Sequence, residues 1–399
     1  MNKIVMIAPG DLSIPAINGG AIETLSTILL DINELNKKFK FYVMQRKVYS
    51  IPSSILSKYT YSKFYQKKEY AIAKTKTYTI LSGIIKSSFY KYGIYIDSFI
   101  IRIILNIIFI NPKTILLEGC QHYSIILKML FPNKNIILHV HTDILNNETN
   151  LASRIVDSCD KILCVSNFIK NRVQSIRNTD PTKSIVLLNV IDHDKFTFSE
   201  TARKKKRIEY SLVEEDFVCI YCGRIDETKG VMQLIKAIEK IKNKNIKLFL
   251  VGASWFGSDN IKNEFEKQIT SVINKNAKYF SVGYIDNEKL HEFYSMSDLF
   301  IFPTQCNEAA GLVLLEAISI GLPVITTRRG GVPEYAPDIS IQLDINDDFI
   351  MNLKTSIMTI FDNKEYRNKM HESSIKKSLE NNKYKYFDKF SKIICGGAK

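Results

Sequence analysis

The chain has 399 residues, 45% hydrophobic and 24% charged, a balance that excludes intrinsic disorder and supplies two or three domains with buried cores. It carries 55 Lys and Arg against 41 Asp and Glu, a net charge of +14, so its surface attracts anions. The most apolar region runs without charge only from Ile103 to Pro112, short of the ~20 residues that span a bilayer. Seven cysteines (Cys120, Cys159, Cys164, Cys219, Cys222, Cys306 and Cys395) lie mostly in apolar runs and imply no disulfide framework.

In chain order, short apolar runs alternate with longer amphipathic stretches. The first, Ile4 to Ala8, follows a single lysine, which reads as a buried strand and not as a signal peptide; a cytoplasmic address follows. Strands are then expected at Phe41–Met44, Thr114–Leu117, Ile136–Val140, Lys161–Val165 and Ile185–Leu188. A second series follows at Phe217–Tyr221, Lys247–Val251, Tyr279–Val282, Leu299–Phe302 and Pro323–Thr326. Strand and helix alternate throughout, so two doubly wound, mainly parallel α/β lobes are expected, with a ligand crevice at the carboxyl ends of the strands. The boundary is expected near residues 190–212, where Asp192-His193-Asp194-Lys195 and the polar run from Ser199 to Glu209 interrupt the pattern. The expected division is 1–195, 196–380 and a terminal helix at 381–399 that returns to the first lobe.

Five segments carry candidate chemistry. Gly19 and Gly20, before the first helix, can bring backbone amides against a phosphate; they do not form the G-x-G-x-x-G dinucleotide fingerprint. His139-Val140-His141 ends a strand, where His141 suits contact with a polar substrate and His122, on the preceding strand-end loop, competes for that role. A metal pair is the alternative, without a third ligand at convincing spacing. Asp192-His193-Asp194 imitates a D-x-D metal motif but falls at the expected hinge. In Cys222-Gly223-Arg224-Ile225-Asp226-Glu227-Thr228-Lys229-Gly230, Arg224 and Lys229 approach a helix N-terminus, an arrangement that holds a diphosphate and offsets its growing charge; a solvated loop has the same composition. In Pro303 to Ala317, Glu308 and Glu316 are eight residues apart. With Glu308 at a helix entrance and Glu316 two turns inside, about 12 Å of helix would separate them, enough to grip the two ends of an elongated polar ligand, and the amides of Ala310, Gly311 and Leu312 between them form an anion site.

Taken together with Val165-Ser166-Asn167-Phe168, Val251-Gly252, Gly283-Tyr284 and Gly321-Leu322-Pro323-Val324-Ile325, these segments make the chain resemble, over nearly its whole length, the retaining glycosyltransferases of family 4, with a two-lobed GT-B fold and a bacterial surface-polysaccharide character. The resemblance implies that Arg224 and Lys229 bind the donor diphosphate, and that Glu308 holds the donor sugar and Glu316 the ribose. Gly19, Gly20, Gly223, Ala310, Gly311 and Leu312 would approach phosphate or sugar, and backbone at Tyr284 and Ile285 would receive the base. The same resemblance places His141 near the donor sugar. It implies no metal and no cofactor besides the nucleotide-sugar substrate, and an acceptor that is a glycan or lipid-linked precursor. A nucleotide-sugar epimerase of the same fold and a non-catalytic sugar-binding scaffold remain the alternatives.

The charge is uneven. Residues 1–200 hold 25 basic and 15 acidic residues, and residues 51–100 hold eight lysines against Glu69 and Asp97, interleaved with Tyr and Phe. The stretch 58–110 is expected to be helical, with either a solvated lysine face or peripheral contact with an anionic membrane. No recognition motif for nucleic acid accompanies it.

Overall fold

The computed structural model describes residues 1–9, 12–17, 19–46, 50–67, 96–252, 264–273 and 276–396. Contacts divide it into two units: Met1–Asn189 with Tyr384–Lys399, and Val190–Lys383. Among the described residues, no helix is long and apolar enough to cross a membrane.

The first unit holds strands β1 (Asn2–Ile7), β2 (Phe39–Arg46), β3 (Ser62–Lys67), β4 (Thr114–Glu118), β5 (Asn135–Val140), β6 (Lys161–Cys164) and β7 (Ser184–Val186). They form one sheet in the order β3-β2-β1-β4-β5-β6-β7, every pairing parallel. Parallel neighbours need crossovers, and these are supplied by α1 (Ala21–Asn36), α2 (Ser53–Leu56), α3 (Ser98–Ile110), α4 (Ser124–Leu130), α5 (Ala152–Ser158) and α6 (Asn167–Gln174). Ser166 caps α6 by accepting from the Ile169 amide. Asp97 caps α3 through Ile100 N at 2.7 Å while also taking Arg46 at 2.7 Å and the Tyr123 hydroxyl at 2.9 Å, which fixes where that apolar helix begins.

The second unit holds β8 (Phe217–Cys222), β9 (Ile246–Val251), β10 (Tyr279–Gly283), β11 (Leu299–Phe302), β12 (Val324–Thr327) and β13 (Ser340–Leu343), in the order β10-β9-β8-β11-β12-β13 and again parallel. Its helices are α7 (Glu200–Glu209), α8 (Val231–Glu239), α9 (Glu264–Ile273), α10 (Leu290–Met296), α11 (Leu312–Ile320), α12 (Val332–Tyr335), α13 (Phe349–Asp362) and α14 (Lys364–Glu380). Val231, Leu234, Ile235 and Ile238 of α8 share a core with Leu353, Ile357 and Ile360 of α13 and the inner side chains of β8, β9 and β11. That spacing is the one-sided apolar stripe of a helix laid on a sheet. The last helix, α15 (Lys383–Cys395), runs into the first unit, where Phe387 and Phe390 set their rings 6.2 and 6.3 Å from Phe39 and the Ile393 carbonyl accepts from Lys161 Nζ at 2.6 Å.

Two strands depart from the sequence expectation. The stretch 58–110, expected to be helical, contains β3: the six residues Ser62–Lys67 pair in parallel along β2, from Phe41 opposite Ser62 to Arg46 opposite Lys67, with the strand-favouring aromatics Phe64 and Tyr65 at their centre. Residues 68–95 of that stretch, with the interleaved Tyr70, Phe89 and Tyr90, lie outside the described residues. The second departure is β13, an edge strand whose four residues are all only half-buried and so lack the apolar run that marked the others.

Phe390 is 1% exposed in the aromatic cluster on Phe39. Its replacement by Ala should cost about 3–5 kcal/mol through lost burial and the cavity left behind. Denaturant unfolding followed by hydrogen exchange checks this, with the loss falling on amides of β1 and β2; a loss below 1 kcal/mol would contradict the packing.

Candidate active site

In the second unit, the loops that follow β8, β9, β11 and β12 meet backbone to backbone. Gly230 has φ +73°, and a Cβ there would lie 2.0 Å from the Pro303 carbonyl oxygen. Gly252 and Gly330, also at positive φ, would put a Cβ 1.9 Å from Gly223 O and 2.1 Å from Glu308 O. A side chain at any of the three requires the facing backbone to move. The loops are also bonded to each other: the Gln305 amide donates to Thr228 O at 2.8 Å and the Gly331 amide to Glu308 O at 2.7 Å. Thr327 Oγ1 donates to Thr304 O at 2.7 Å.

This packing sets Lys229 against Glu308. Lys229 is buried and its Nζ pairs with Glu308 Oε1, which also accepts from Thr304 Oγ1 at 3.2 Å and lies 3.6 Å from Cys306 Sγ. Arg224 stands apart, with its side chain half exposed and its guanidinium 3.9 Å from Asp226 Oδ2. Its loop is anchored from below, where the buried Tyr221 hydroxyl donates to Arg224 O at 2.5 Å. Asp226 accepts from the Thr228 amide at 2.9 Å and so shapes the turn that delivers Lys229. One exposed cation and one paired cation therefore share the loop. An incoming diphosphate can recruit Arg224 freely but must compete with Glu308 for Lys229.

Glu316 differs. It is 6% exposed and accepts from the Tyr294 hydroxyl at 3.0 Å. Burial raises its pKa to about 7, against the opposing pull of that hydrogen bond and of Lys195. The helix geometry corrects the expected span: α11 begins only at Leu312, four residues after Glu308, because Gly311 is extended at φ 177°. Glu316 is thus one turn inside the helix, about 6 Å along its axis from Leu312, and Glu308 lies on the loop outside. Gly311 supplies no side-chain cap and its carbonyl takes the Leu314 and Leu315 amides, which leaves those of Leu312 and Val313, ahead of any intrahelical acceptor, to face an anion. Ala310 is buried beside them, while Tyr284 and Ile285 are half-buried just after β10, where the Gly252 amide donates to Gly283 O at 2.8 Å.

In the first unit, Gly19 and Gly20 both have positive φ and open α1; a Cβ on Gly20 would strike the Glu23 carboxylate at 2.2 Å. His122 is exposed on the turn after β4. His141 is buried, and the third polar partner that the spacing did not reveal is Glu118. The β4–β5 register places Glu118 opposite His139, and Glu118 Oε2 takes both His139 Nδ1 at 3.0 Å and His141 Nε2 at 2.7 Å. Burial works against charge on Glu118, yet the two imidazoles hold its pKa down at about 2. Burial, with His139 beside it, holds His141 down at about 4. One ring nitrogen of each histidine and one Glu118 carboxylate oxygen lie within 4.8 Å of one another, close enough to ligate one ion. Asp192 and Asp194 each accept from Lys383 Nζ at 2.6 Å, which makes them a clamp on the start of α15. Cys219 and Cys222 are buried thiols that form no disulfide.

Residues 202–377, all within the second unit, match the family model described as Glycosyl transferases group 1. The lipopolysaccharide 1,2-N-acetylglucosaminetransferase of Salmonella typhimurium is 26% identical over 210 residues, 52% of each chain. Spore coat protein SA of Bacillus subtilis is 28% identical over 220 residues, 52% of this chain and 58% of the relative. The matched part thus spans about half the length of these curated relatives. Among solved structures, Anabaena HepE in complex with UDP-glucose aligns with 99% of this chain and 100% of its own at a TM-score of 0.73 and 14% identity. WaaG, a glycosyltransferase involved in lipopolysaccharide biosynthesis, aligns over 99% and 100% at 0.66 and 14% identity. The fold is GT-B: two α/β units, each on a parallel sheet.

The raised pKa of Glu316 has a stability consequence. Its folded value lies above the reference 4.5, so its contribution is full below pH 4.5 and is lost as pH rises through about 7. Glu316→Gln should remove that loss, gaining about 3 kcal/mol on wild type between the acid and alkaline sides of this window. Denaturant titrations at both ends check it; a pH-independent difference would contradict the burial of a carboxyl group here.

Proposed function

We propose that the protein is a retaining, metal-independent glycosyltransferase of family 4. In this reading it moves a hexose or N-acetylhexosamine from a nucleotide diphosphate, UDP, to a sugar of a cell-surface glycan or its lipid-linked precursor, on the cytoplasmic side. The observation that carries the reading is the Lys229–Glu308 pair held between the open Arg224 side chain and the N-terminus of α11. It is supported by the family match over residues 202–377, by the UDP and UDP-glucose complexes of HepE, and by relatives named for lipopolysaccharide and capsular polysaccharide synthesis.

In this mechanism the diphosphate lies on Arg224, Lys229 and the amides of Gly311 and Leu312, with backbone at Tyr284 and Ile285 on the base side. Glu316 accepts from the ribose hydroxyls and Glu308, released by Lys229, accepts from the sugar. The bond from the anomeric carbon to the diphosphate oxygen breaks while the acceptor hydroxyl attacks on the same face, and its proton passes to the departing phosphate. The charge that grows on that phosphate is offset by Arg224 and Lys229, so the chain's part is positioning and electrostatic stabilisation. No protein nucleophile, cofactor or metal enters.

A panel of nucleotide sugars tests this. Slow hydrolysis of one of them, and transfer when a glycan is added, are expected; an isomerised nucleotide sugar would mean an epimerase, and no binding would mean a scaffold. Arg224→Ala and Lys229→Ala should each slow turnover about 100-fold. Glu308→Gln separates the roles: it frees Lys229, so UDP should bind at least as tightly as to wild type while turnover collapses, whereas Glu316→Ala should weaken donor and free nucleotide alike. Chelators should leave activity intact. A strict metal requirement would overturn metal independence and direct attention to Glu118, His139 and His141, since Lys383 occupies the Asp192 and Asp194 carboxylates.

A further inference from the structure

Every strand of the first sheet begins at a lysine or next to one: Lys3, Lys40, Lys63, Lys113, Lys134, Lys161 and Lys183 for β1 to β7 in turn. All pairings are parallel, so these lysines line one edge, and at 4.7–4.9 Å per strand the row is about 29 Å long. Where their ammonium groups bond, the partners are neutral oxygens: Ile110 O for Lys3 at 2.8 Å, the Asn111 side chain for Lys134, Ile393 O for Lys161 and Val156 O for Lys183 at 3.3 Å. Among the described residues none of the seven bridges a carboxylate. Two acids near the row are engaged elsewhere: Asp160 is paired with Lys128 at 2.9 Å and Glu34 accepts from the Thr60 and Tyr61 amides. The second sheet mixes signs at its strand starts, with Asp216 and Asp298 beside β8 and β11 and Lys247 and Lys278 at β9 and β10.

The helices that return to this lysine edge end on exposed apolar side chains. These are Leu35 on α1, Ile108 and Phe109 on α3, and Met129 and Leu130 on α4. Phe109 is 89% exposed. On α3 the exposed face continues upward through Leu105 and Ile101, at spacings of three and four residues, opposite the buried Phe99, Ile103, Ile107 and Ile110. In this 13-residue helix the polar side chains beyond the first residue are Arg102 and Asn106, so an apolar face is left outward as well as the buried one, and the outward face calls for an apolar partner. The repeated order, exposed apolar residue and then lysine, puts greasy tips and ammonium groups at one level.

We infer that this edge is an interfacial docking surface for an anionic lipid bilayer. Its lysines would face the headgroups, and the tips of α3 and α4 would dip into the acyl boundary. Charge complementarity selects this occupant: a second copy would bring one lysine row against another, and a polyphosphate backbone would leave Phe109 and Met129 without an apolar partner. The surface lies at the starts of the strands, whereas Glu118, His139 and His141 lie at or beyond their ends, and the inference stands independently of the proposed reaction.

Flotation of the full chain with phosphatidylcholine vesicles, with and without a third of phosphatidylglycerol, tests it. Wild type should float with the anionic vesicles at low salt, lose them at high salt, and ignore the neutral ones. Replacing Lys40, Lys63 and Lys113 together by Gln should lower partitioning about 100-fold. Phe109→Ser with Met129→Ser should lower it about tenfold or more with little change in salt dependence. Both variants should keep the wild-type unfolding midpoint and UDP affinity. Equal flotation with both vesicle types, no flotation at low salt, or wild-type flotation of both variants would overturn the inference. So would salt-sensitive binding of a nucleic-acid homopolymer without vesicle binding, or a dimer abolished by Phe109→Ser in the absence of lipid.

Discussion

The second unit depends on one constraint, the contact of loop backbones across three glycines. With Gly230 against Pro303, Gly252 against Gly223 and Gly330 against Glu308, the turns at the ends of four strands approach more closely than any side chain allows. Lys229 and Glu308, separated by 79 residues in sequence, are opposed because of that approach. Hydrogen bonds from Gln305, Gly331 and Thr327 then fix the register of the loops without using any charged side chain. The charged groups stay available for a ligand.

The two carboxylates of the E-x7-E segment occupy different electrostatic settings, and the difference follows from where α11 starts. Glu308, on the loop outside, is neutralised by a lysine. Glu316, one turn inside, is buried against a tyrosine hydroxyl with its pKa raised to about 7. A donor of hydrogen bonds placed beside Glu316 would favour its charged form, and an anion placed beside Lys229 would release Glu308. In the proposed reaction, donor binding would carry both a protonation and a pairing cost, which would help the site to discriminate a whole nucleotide sugar from its fragments.

Much of this was legible in the sequence because buried parallel strands write themselves as continuous apolar runs. Ile4–Ala8, Ile136–Val140 and Leu299–Phe302 needed no tertiary information. What stayed hidden was set by pairing. β3 and β13 are edge strands with mixed composition, and their register against β2 and β12 is what makes them strands. Glu118 looked like the end of an apolar run until the β4–β5 register put it opposite His139. Tyr294 gives no local signal of its bond to Glu316. Gly330 gives no local sign of its role against Glu308, which exists only once β11 and β12 are neighbours. Likewise, the lysines at the strand starts are unremarkable one by one, and become a row only because all seven strands run the same way.

The most direct measurement is a structure of the protein with an unhydrolysed UDP-sugar. The account predicts that the Lys229–Glu308 pair opens, with Lys229 and Arg224 on diphosphate oxygens, the Gly311 and Leu312 amides beside them, Glu308 on a sugar hydroxyl and Glu316 on the ribose. A bound nucleotide sugar that leaves the Lys229–Glu308 pair intact, or that seats its diphosphate away from the start of α11, would contradict it.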